Sequence, residues 1–358
     1  MPQTLINQVY QTLTRHSMLR AGQKVLIGLS GGPDSITLAR TLIHLKKKLG
    51  ILLGAAHLNH CLRGEESLRD ESFVRDFAQK NGLDLIVESM DVANLAKQEK
   101  RSVEDAGRHA RYDFFNKAAK AHNYDRIALG HNWDDHVEQV LMSLIRGAGP
   151  KGLKGISPVR EDRFIRPLIN ISKTEILAFL GNIGQDFVTD SSNEDTAYLR
   201  NRVRHRLIPF LEKEFNPDIK AGLARLSGII SIEDDFMEEV LKHEESKIVK
   251  SRRPGEVELS VSELNRIHPA LSRRLLRSAL FMVKKDLNRI SHTHISDILN
   301  LGQAGVGSGK SLDLPGQIRV YRKKEIICIK KEDRPLREIG RQQKADRLKT
   351  KGNSGMKT

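Results

Sequence analysis

The chain has 358 residues, with 60 Lys and Arg against 45 Asp and Glu, and a formal net charge of +15. Hydrophobic residues at 39% and charged residues at 29% exclude collagen-like, coiled-coil and wholly disordered chains, and the length suits two domains with real cores. Apolar runs such as 51–57 fall far short of the ~20 residues of a bilayer helix, the amino terminus lacks the apolar block of a signal peptide, and two cysteines, Cys61 and Cys328, are too few for a disulfide scaffold, so a reducing cytoplasm is the expected home.

Residues 25–30, 51–59, 85–89 and 126–130 are short runs of Val, Ile, Leu and Ala, the pattern of strands buried on both faces. Between them 35–49, 67–81 and 102–122 show helical spacing, and a further helix over 134–146 stops at the breaker Gly147-Ala148-Gly149-Pro150. A strand–helix pair over 163–168 and 172–181 closes the domain. The alternation predicts an α/β fold with a parallel sheet, whose ligands bind at the carboxyl ends of the strands. From 198 to about 250 the chain reads as helix with a break at Pro217, and 257–301 continues in helical style. Residues 312–330 alternate like a small β-hairpin. Residues 331–358 hold nine basic and four acidic side chains and no aromatics, a composition that predicts a basic disordered tail.

Charge is uneven along the chain. Residues 1–199 carry 26 basic and 24 acidic groups, whereas 200–358 carry 34 and 21. The second half is therefore expected to meet a polyanion, nucleic acid first among the candidates, or else to be a merely basic soluble surface.

The most informative stretch is Ser30-Gly31-Gly32-Pro33-Asp34-Ser35, between a strand and a helix. Paired glycines let the backbone approach an anion, the helix start points N–H groups at it, and Ser30 and Ser35 add hydroxyl donors. Asp34 is a candidate magnesium ligand. The plainer alternative is a tight turn with Asp34 or Ser35 capping a helix. A second glycine-rich run, Ala304-Gly305-Val306-Gly307-Ser308-Gly309-Lys310-Ser311, fits a relaxed Walker A pattern but has helical sequence before it and Pro315 too soon after it. It reads as a loop.

Two further segments fall at the same expected sheet edge. His57 to Ser67 follows the second strand and brings His57, Asn59, His60 and Arg63, which suit adenosine, phosphate or RNA contacts; His57 alone also fits a satisfied buried histidine. Gly130 to Glu138 follows the fourth strand and clusters Asp134, Asp135 and Glu138 on one helix face. Such carboxylates need a cation among them: magnesium, an ammonium or an arginine. An acidic helix start complementing its dipole explains Asp134 and Asp135 but not their meeting the loop. Arg200, Arg202, Arg204 and Arg206 fall on helical stripes without intervening acids, a surface suited to phosphates, although a charge run is more often a solvated face.

The Ser-Gly-Gly-Pro-Asp-Ser loop resembles the signature of the N-type ATP pyrophosphatases, or PP-loop enzymes, which implies cleavage of ATP between its α- and β-phosphates with adenylation of a substrate oxygen. The whole set of motifs resembles the tRNA(Ile)-lysidine synthetase family: the loop, Asn59-His60-Cys61-Leu62-Arg63-Gly64-Glu65-Glu66, Arg111-Tyr112 on a helix, the helix from Gly130 to Arg146-Gly147, then Phe187 to Asn193 and Arg200 to Pro209, with weaker likeness at Arg273 to Leu276 and Leu312 to Gly316. It departs at Asn132, His136 and Gln139, where the family more often has His, Gln and Thr. The resemblance implies a PP-loop (adenine nucleotide alpha hydrolase-like) domain over 1–197, a basic helical linker over 198–230 and a mainly helical tRNA-binding substrate domain with a small hairpin over 231–330. It implies ATP and Mg2+ as co-substrate and cofactor, free L-lysine and a tRNA(Ile) with a CAU anticodon as partners, no membrane, and a homodimer as the candidate assembly. By residue it implies Ser30, Gly31, Gly32, Pro33, Asp34, Ser35, His57 and Gly130 at ATP, Asp34 at magnesium, Arg111 at the α-phosphate or adenylate, Asp135 and Glu138 at lysine, and Arg63, Arg200, Arg202, Arg204 and Arg206 at tRNA. A PP-loop tRNA thiolase and a non-catalytic tRNA-binding protein are the alternatives; the first normally wants reactive or cluster-binding cysteines.

Overall fold

The computed structural model describes residues 2–62, 64–189, 198–303 and 309–333. The chain forms two compact units, Met1–Ser231 and Ile232–Thr358. Arg63, Asp190 to Asn193, residues 304–308 of the second glycine-rich run and residues 334–358 of the basic tail lie outside the described residues.

The first unit runs α1 (Pro2–Arg15), β1 (Lys24–Gly28), α2 (Pro33–Leu49), β2 (Leu52–Asn59), α3 (Glu65–Lys80), β3 (Asp84–Ser89), α4 (Val92–Glu99), α5 (Val103–Ala121), β4 (Arg126–Ala128), α6 (Trp133–Ile145), α7 (Pro150–Leu153), β5 (Val159–Arg160), β6 (Phe164–Ile165) and α8 (Lys173–Asn182). Then α9 (Leu199–Arg202), a π-helical turn over Val203–Leu207 and α10 (Ile208–Glu214) follow without a break, and α11 (Ile219–Ile248) contains the unit boundary. Residues 198–230, read as a linker, belong to this unit: Val203, Ile208 and Leu223 are buried in one apolar cluster with Val137, Val140 and Leu141 of α6.

The sheet has the order β3-β2-β1-β4-β6-β5, parallel except for the β5–β6 edge pair. Alternation within β1 fills both faces: Val25 and Ile27 join the core under α1, α2 and α8, while Leu26 joins the core under α4 and α5. Each such fully buried side chain contributes about 1.5–3 kcal/mol against exposure. The chain leaves β1 for β2 on one side, and β4 pairs on the other, so the carboxyl ends of β1 and β4 flank the topological switch point. Three close approaches fix that crevice. Gly31 takes φ +86°, accessible to glycine, and its carbonyl accepts from Val188 N at 2.9 Å. A Cβ on Gly130 would stand 3.0 Å from the carbonyl carbon of Asp34, so β4 ends against the first turn of α2. His57, at the end of β2, reaches the Leu29 carbonyl at 2.8 Å.

The second unit departs from the helical reading. β7 (Val249–Arg253) and β8 (Glu256–Ser260) precede α12 (Val261–Arg266), α13 (Pro269–Lys284), α14 (His292–Leu301), β9 (Ser311–Leu314), β10 (Ile318–Lys323) and β11 (Ile326–Lys331). The expected hairpin exists as β10–β11, within a five-stranded antiparallel sheet of order β7-β8-β11-β10-β9. Five-residue β8 carries the period-2 signal, Val257 and Leu259 in the core and Glu256 and Glu258 out of it. That signal is masked because Ser260 at once caps α12, accepting from Glu263 N.

Candidate active site

The phosphate loop is built as its glycines require. Ser35 Oγ accepts from Ser30 N at 3.1 Å and donates to the Gly32 carbonyl at 3.0 Å, so one hydroxyl ties both ends of the turn. Pro33 sits in the first turn of α2, where a missing N–H costs nothing, and Gly32 is the N-cap residue without a side-chain cap. The free N–H groups there are the ready partners of an anion.

Asp34 and the acidic helix are physically joined. Asn132 caps α6 through a reciprocal pair, Asp135 N to Asn132 Oδ1 at 2.9 Å and Asn132 N to Asp135 Oδ2 at 3.1 Å. The Asn132 side-chain amide also donates to Asp34 Oδ1 at 3.0 Å. Thus loop and carboxylate cluster share one edge of the sheet. Asn132 is the joint.

The cations in the cluster are arginines. Arg200 gives Nε to Glu138 Oε2 at 2.8 Å and Nη2 to Asp135 Oδ1 at 2.9 Å. Arg204 gives Nε to Glu138 Oε1 at 2.6 Å and Nη2 to Asp135 Oδ1 at 3.2 Å. Glu138 is only 1% exposed, and a buried carboxylate needs this neutralisation. Burial pushes the Asp135 carboxyl up, but Arg200, the Asn132 N–H and Arg204 outweigh it and hold the group below the ordinary carboxylate range. Of the four arginines read as a phosphate surface, Arg200 and Arg204 therefore turn to the acidic pair, while Arg202 and Arg206 are exposed. The π-helical turn between 202 and 208 interrupts the ideal stripes, a common feature of functional helices.

Sequence reasoning missed two basic residues. Lys173 starts α8; its Nζ meets both Asp34 oxygens at 2.9 and 2.8 Å, and its backbone N–H donates to Asp134 Oδ2 at 2.8 Å. The capping-box pattern Ser172-Lys173-Thr174-Glu175 signals the helix start but gives no hint that it faces Asp34. Arg166 is 3% exposed and donates Nε to His131 Nδ1 at 3.3 Å, Nη1 to the Ser157 carbonyl at 2.5 Å and Nη2 to Tyr112 OH at 3.2 Å. Arg111 is solvent-exposed, its Nη2 3.3 Å from His60 Nε2, and lies within electrostatic range of His131 and Arg200. Burial keeps His57 below the usual histidine range, the Leu29 bond opposing.

A magnesium ion usually takes one or two carboxylates and completes its shell from water and phosphates. Asp34, partly exposed beside the loop, fits that donor set, although both its oxygens already hold the Lys173 ammonium. In the second unit Glu256, Glu258 and Cys328 cluster their ligating atoms within 4.8 Å. Burial, with the Glu256 contact, pushes the Cys328 thiol up to about 12, so it stays protonated and bonds Glu256. Cys61 is exposed in the first unit.

A PP-loop domain model matches residues 2–211, and a model of the TilS substrate binding domain matches residues 259–324. The tRNA(Ile)-lysidine synthase of Clostridium acetobutylicum is 35% identical over 330 residues, covering 92% of this chain and 71% of that protein. The chain belongs to the tRNA(Ile)-lysidine synthase family. The Geobacter sulfurreducens member is 40% identical over 308 residues, 86% of this chain and 65% of its own. Membership makes the chain a PP-loop, ATP-dependent ligase. A solved tRNA thiolase from Methanococcus maripaludis, at 22% identity and a TM-score of 0.54 over 64% of this chain and 79% of its own, shares the fold. No helix among the described residues is long and apolar enough to cross a membrane.

Proposed function

We propose that this family member ligates lysine to C2 of the wobble cytidine of a tRNA(Ile) with a CAU anticodon. The cytidine C2 oxygen attacks the α-phosphorus of ATP and releases pyrophosphate. The lysine ε-amine then attacks C2, the C2–O bond breaks, AMP departs with that oxygen, and the amine proton passes to the acidic pair. The Asn132 bridge between Asp34 and the Asp135 helix carries this reading, because the chemistry needs triphosphate and amine at one place.

Ser30, Gly31, Gly32, Pro33 and Ser35 would grip the phosphates through backbone N–H and hydroxyl groups, with His57 fixing the entry to the loop at Leu29. Gly130 keeps β4 close to the loop. Asp34 would hold a magnesium ion, which supplies charge neutralisation to the phosphates. Arg111 would meet the α-phosphate or adenylate, and Asp135 with Glu138 the lysine ammonium. Since Arg200 and Arg204 now occupy those carboxylates, the amine enters as a guanidinium withdraws, and RNA phosphates are the acceptors that could draw it away. Arg63, Arg202 and Arg206 complete the proposed tRNA contacts.

The thiolase alternative gains nothing from the cysteines: Cys328 is a buried, protonated thiol in the other compact unit from Cys61. The test is mass analysis of a CAU-anticodon tRNA(Ile) transcript incubated with protein, ATP, magnesium and isotopically labelled lysine. A labelled lysyl adduct on the anticodon cytidine is expected; an unmodified transcript with active, folded protein would overturn the reading.

A further inference from the structure

Arg166 is a buried guanidinium whose partners are all neutral: the His131 ring nitrogen, the Ser157 carbonyl and the Tyr112 hydroxyl. A buried cation without a carboxylate is costly, and a merely structural core would do better without it. Its geometry has a chemical consequence at the neighbouring residue. Arginine has N–H donors and no acceptor, so the His131 Nδ1 facing Arg166 Nε must carry the lone pair. In a neutral imidazole the proton then resides on Nε2, which has no hydrogen-bond partner among the described residues.

His131 is held neutral by its surroundings. Burial pushes its pKa well below the usual histidine range, Asp135 opposing and Arg166, Arg200 and Arg111 reinforcing. Those three guanidiniums around one ring make a setting for anionic oxygen, directly after Gly130, which packs on the backbone of Asp34.

We propose that Arg166 is a positioning residue that fixes His131 as the Nε2–H tautomer, making His131 a preset hydrogen-bond donor to the phosphoryl oxygens of the adenylate and of the departing AMP. The inference rests on the adenylation reading above and names the group that serves it. No proton is transferred. The imidazole donates to an oxygen whose negative charge grows as the C2–O bond breaks, and a fixed donor aimed at growing charge stabilises it without reorganising.

The experiment has two arms. In the first, 15N-histidine-labelled protein is examined by long-range 15N–1H NMR, with the His131 signals assigned by their loss in His131→Gln. The Nε2–H tautomer is expected in the wild type, with exchange between tautomers in Arg166→Met; an Nδ1–H tautomer in the wild type overturns the proposal. In the second arm lysidine formation is followed in single turnovers. A glutamine amide can donate from near the Nε2 position, so His131→Gln should stay within about tenfold of wild type, whereas His131→Leu should fall about 100-fold or more. Arg166→Met should cost about 10- to 100-fold in the wild-type background. It should cost under about threefold in His131→Gln, which has no tautomer to set. Equal losses in His131→Gln and His131→Leu, or an undiminished Arg166→Met effect in the glutamine background, overturn it. Arg166→Lys, which keeps the charge but not the fork, serves where Arg166→Met fails to fold, and should show the same background dependence. A wild type that forms no lysidine refutes the function and leaves the tautomer assignment standing, so the two failures are distinguishable.

Discussion

The side-chain amide of Asn132 donates to Asp34 across 98 positions of sequence, at 3.0 Å. The same residue caps the helix carrying Asp135 and Glu138, so the start of α2 and the start of α6 are locked to each other through one side chain. Two helix N-termini thereby face one crevice at the switch point of the sheet, and both favour anions there. On the proposed reading this arrangement lets a single edge serve phosphates and an amine: positive helix ends on the loop side, Asp135 in the first turn of α6 and the buried Glu138 about one turn further in.

Separating the two jobs of Asn132 gives a direct test. Asn132→Ser retains a capping oxygen and loses the reach to Asp34, whereas Asn132→Ala loses both. The alanine variant should be less stable by about 0.5–2 kcal/mol, the usual worth of an N-cap. The serine variant should melt near wild type yet show a raised KM for ATP. Thermal melts and ATP titrations of both proteins check this, and a serine variant with unchanged ATP kinetics would show that the bridge does not matter to the nucleotide.

Lys173 gives the second expectation. Its ammonium neutralises Asp34 beside the phosphate loop, and Lys173→Met leaves that carboxylate facing the incoming triphosphate. The KM for ATP should rise by about tenfold, the equivalent of about 1.4 kcal/mol of lost attraction. Raising free magnesium should recover part of the loss, because a cation can replace the ammonium at Asp34. Insensitivity of the KM to both changes would remove Lys173 from the nucleotide site.

Much of this was legible in the sequence. The phosphate loop between a buried strand and a helix, the switch of periodicity, and the need for cations around Asp135 and Glu138 all follow from local pattern. What local pattern could not supply is which cation arrives. Arg200 and Arg204 lie more than 60 positions from Glu138, on stripes that read as a phosphate-binding surface, and only the tertiary fold turns them to the carboxylates. Lys173 and Arg166 were invisible for the same reason: each sits in an unremarkable segment, and its partners come from other parts of the sheet edge. In the second unit, β7 and β8 were missed because five residues give too few alternations to outweigh the helices that follow.

Asp135→Asn should abolish lysine transfer while leaving ATP binding nearly intact. The amide can still accept from Asn132 N–H and so preserve the helix cap, but it no longer carries the charge that draws an ammonium or takes its proton. A fall of about 100-fold or more in lysidine formation is expected, with ATP affinity within about twofold. Filter-binding of ATP alongside single-turnover lysine transfer measures both; lysine incorporation at the wild-type rate would remove Asp135 from the amine site.

Three histidines, His57 buried and His131 and His136 half-buried, shape the pH response of the first unit. His57, His131 and His136 all have pKa values lowered by burial, His57 and His136 against the opposing pull of Leu29 and Ile156 carbonyls. The unfolded chain therefore binds protons below its ordinary histidine pKa of about 6.5 that the native state refuses, so stability rises with pH through this window and is fully present only above it. Each histidine kept neutral adds a slope of up to ~1.4 kcal/mol per pH unit below that point. Asp135, also lowered, extends the loss below about pH 4, where unfolded carboxylates protonate and the native one does not. Urea unfolding followed between pH 7.5 and pH 5 should show the midpoint falling steadily as the solution is acidified. His136→Gln should flatten that slope by its single contribution, since its amide can still accept from Ile156 N–H, the bond that His136 Nδ1 makes at 3.2 Å. A midpoint independent of pH across this range would mean that these rings are already solvated in the native protein.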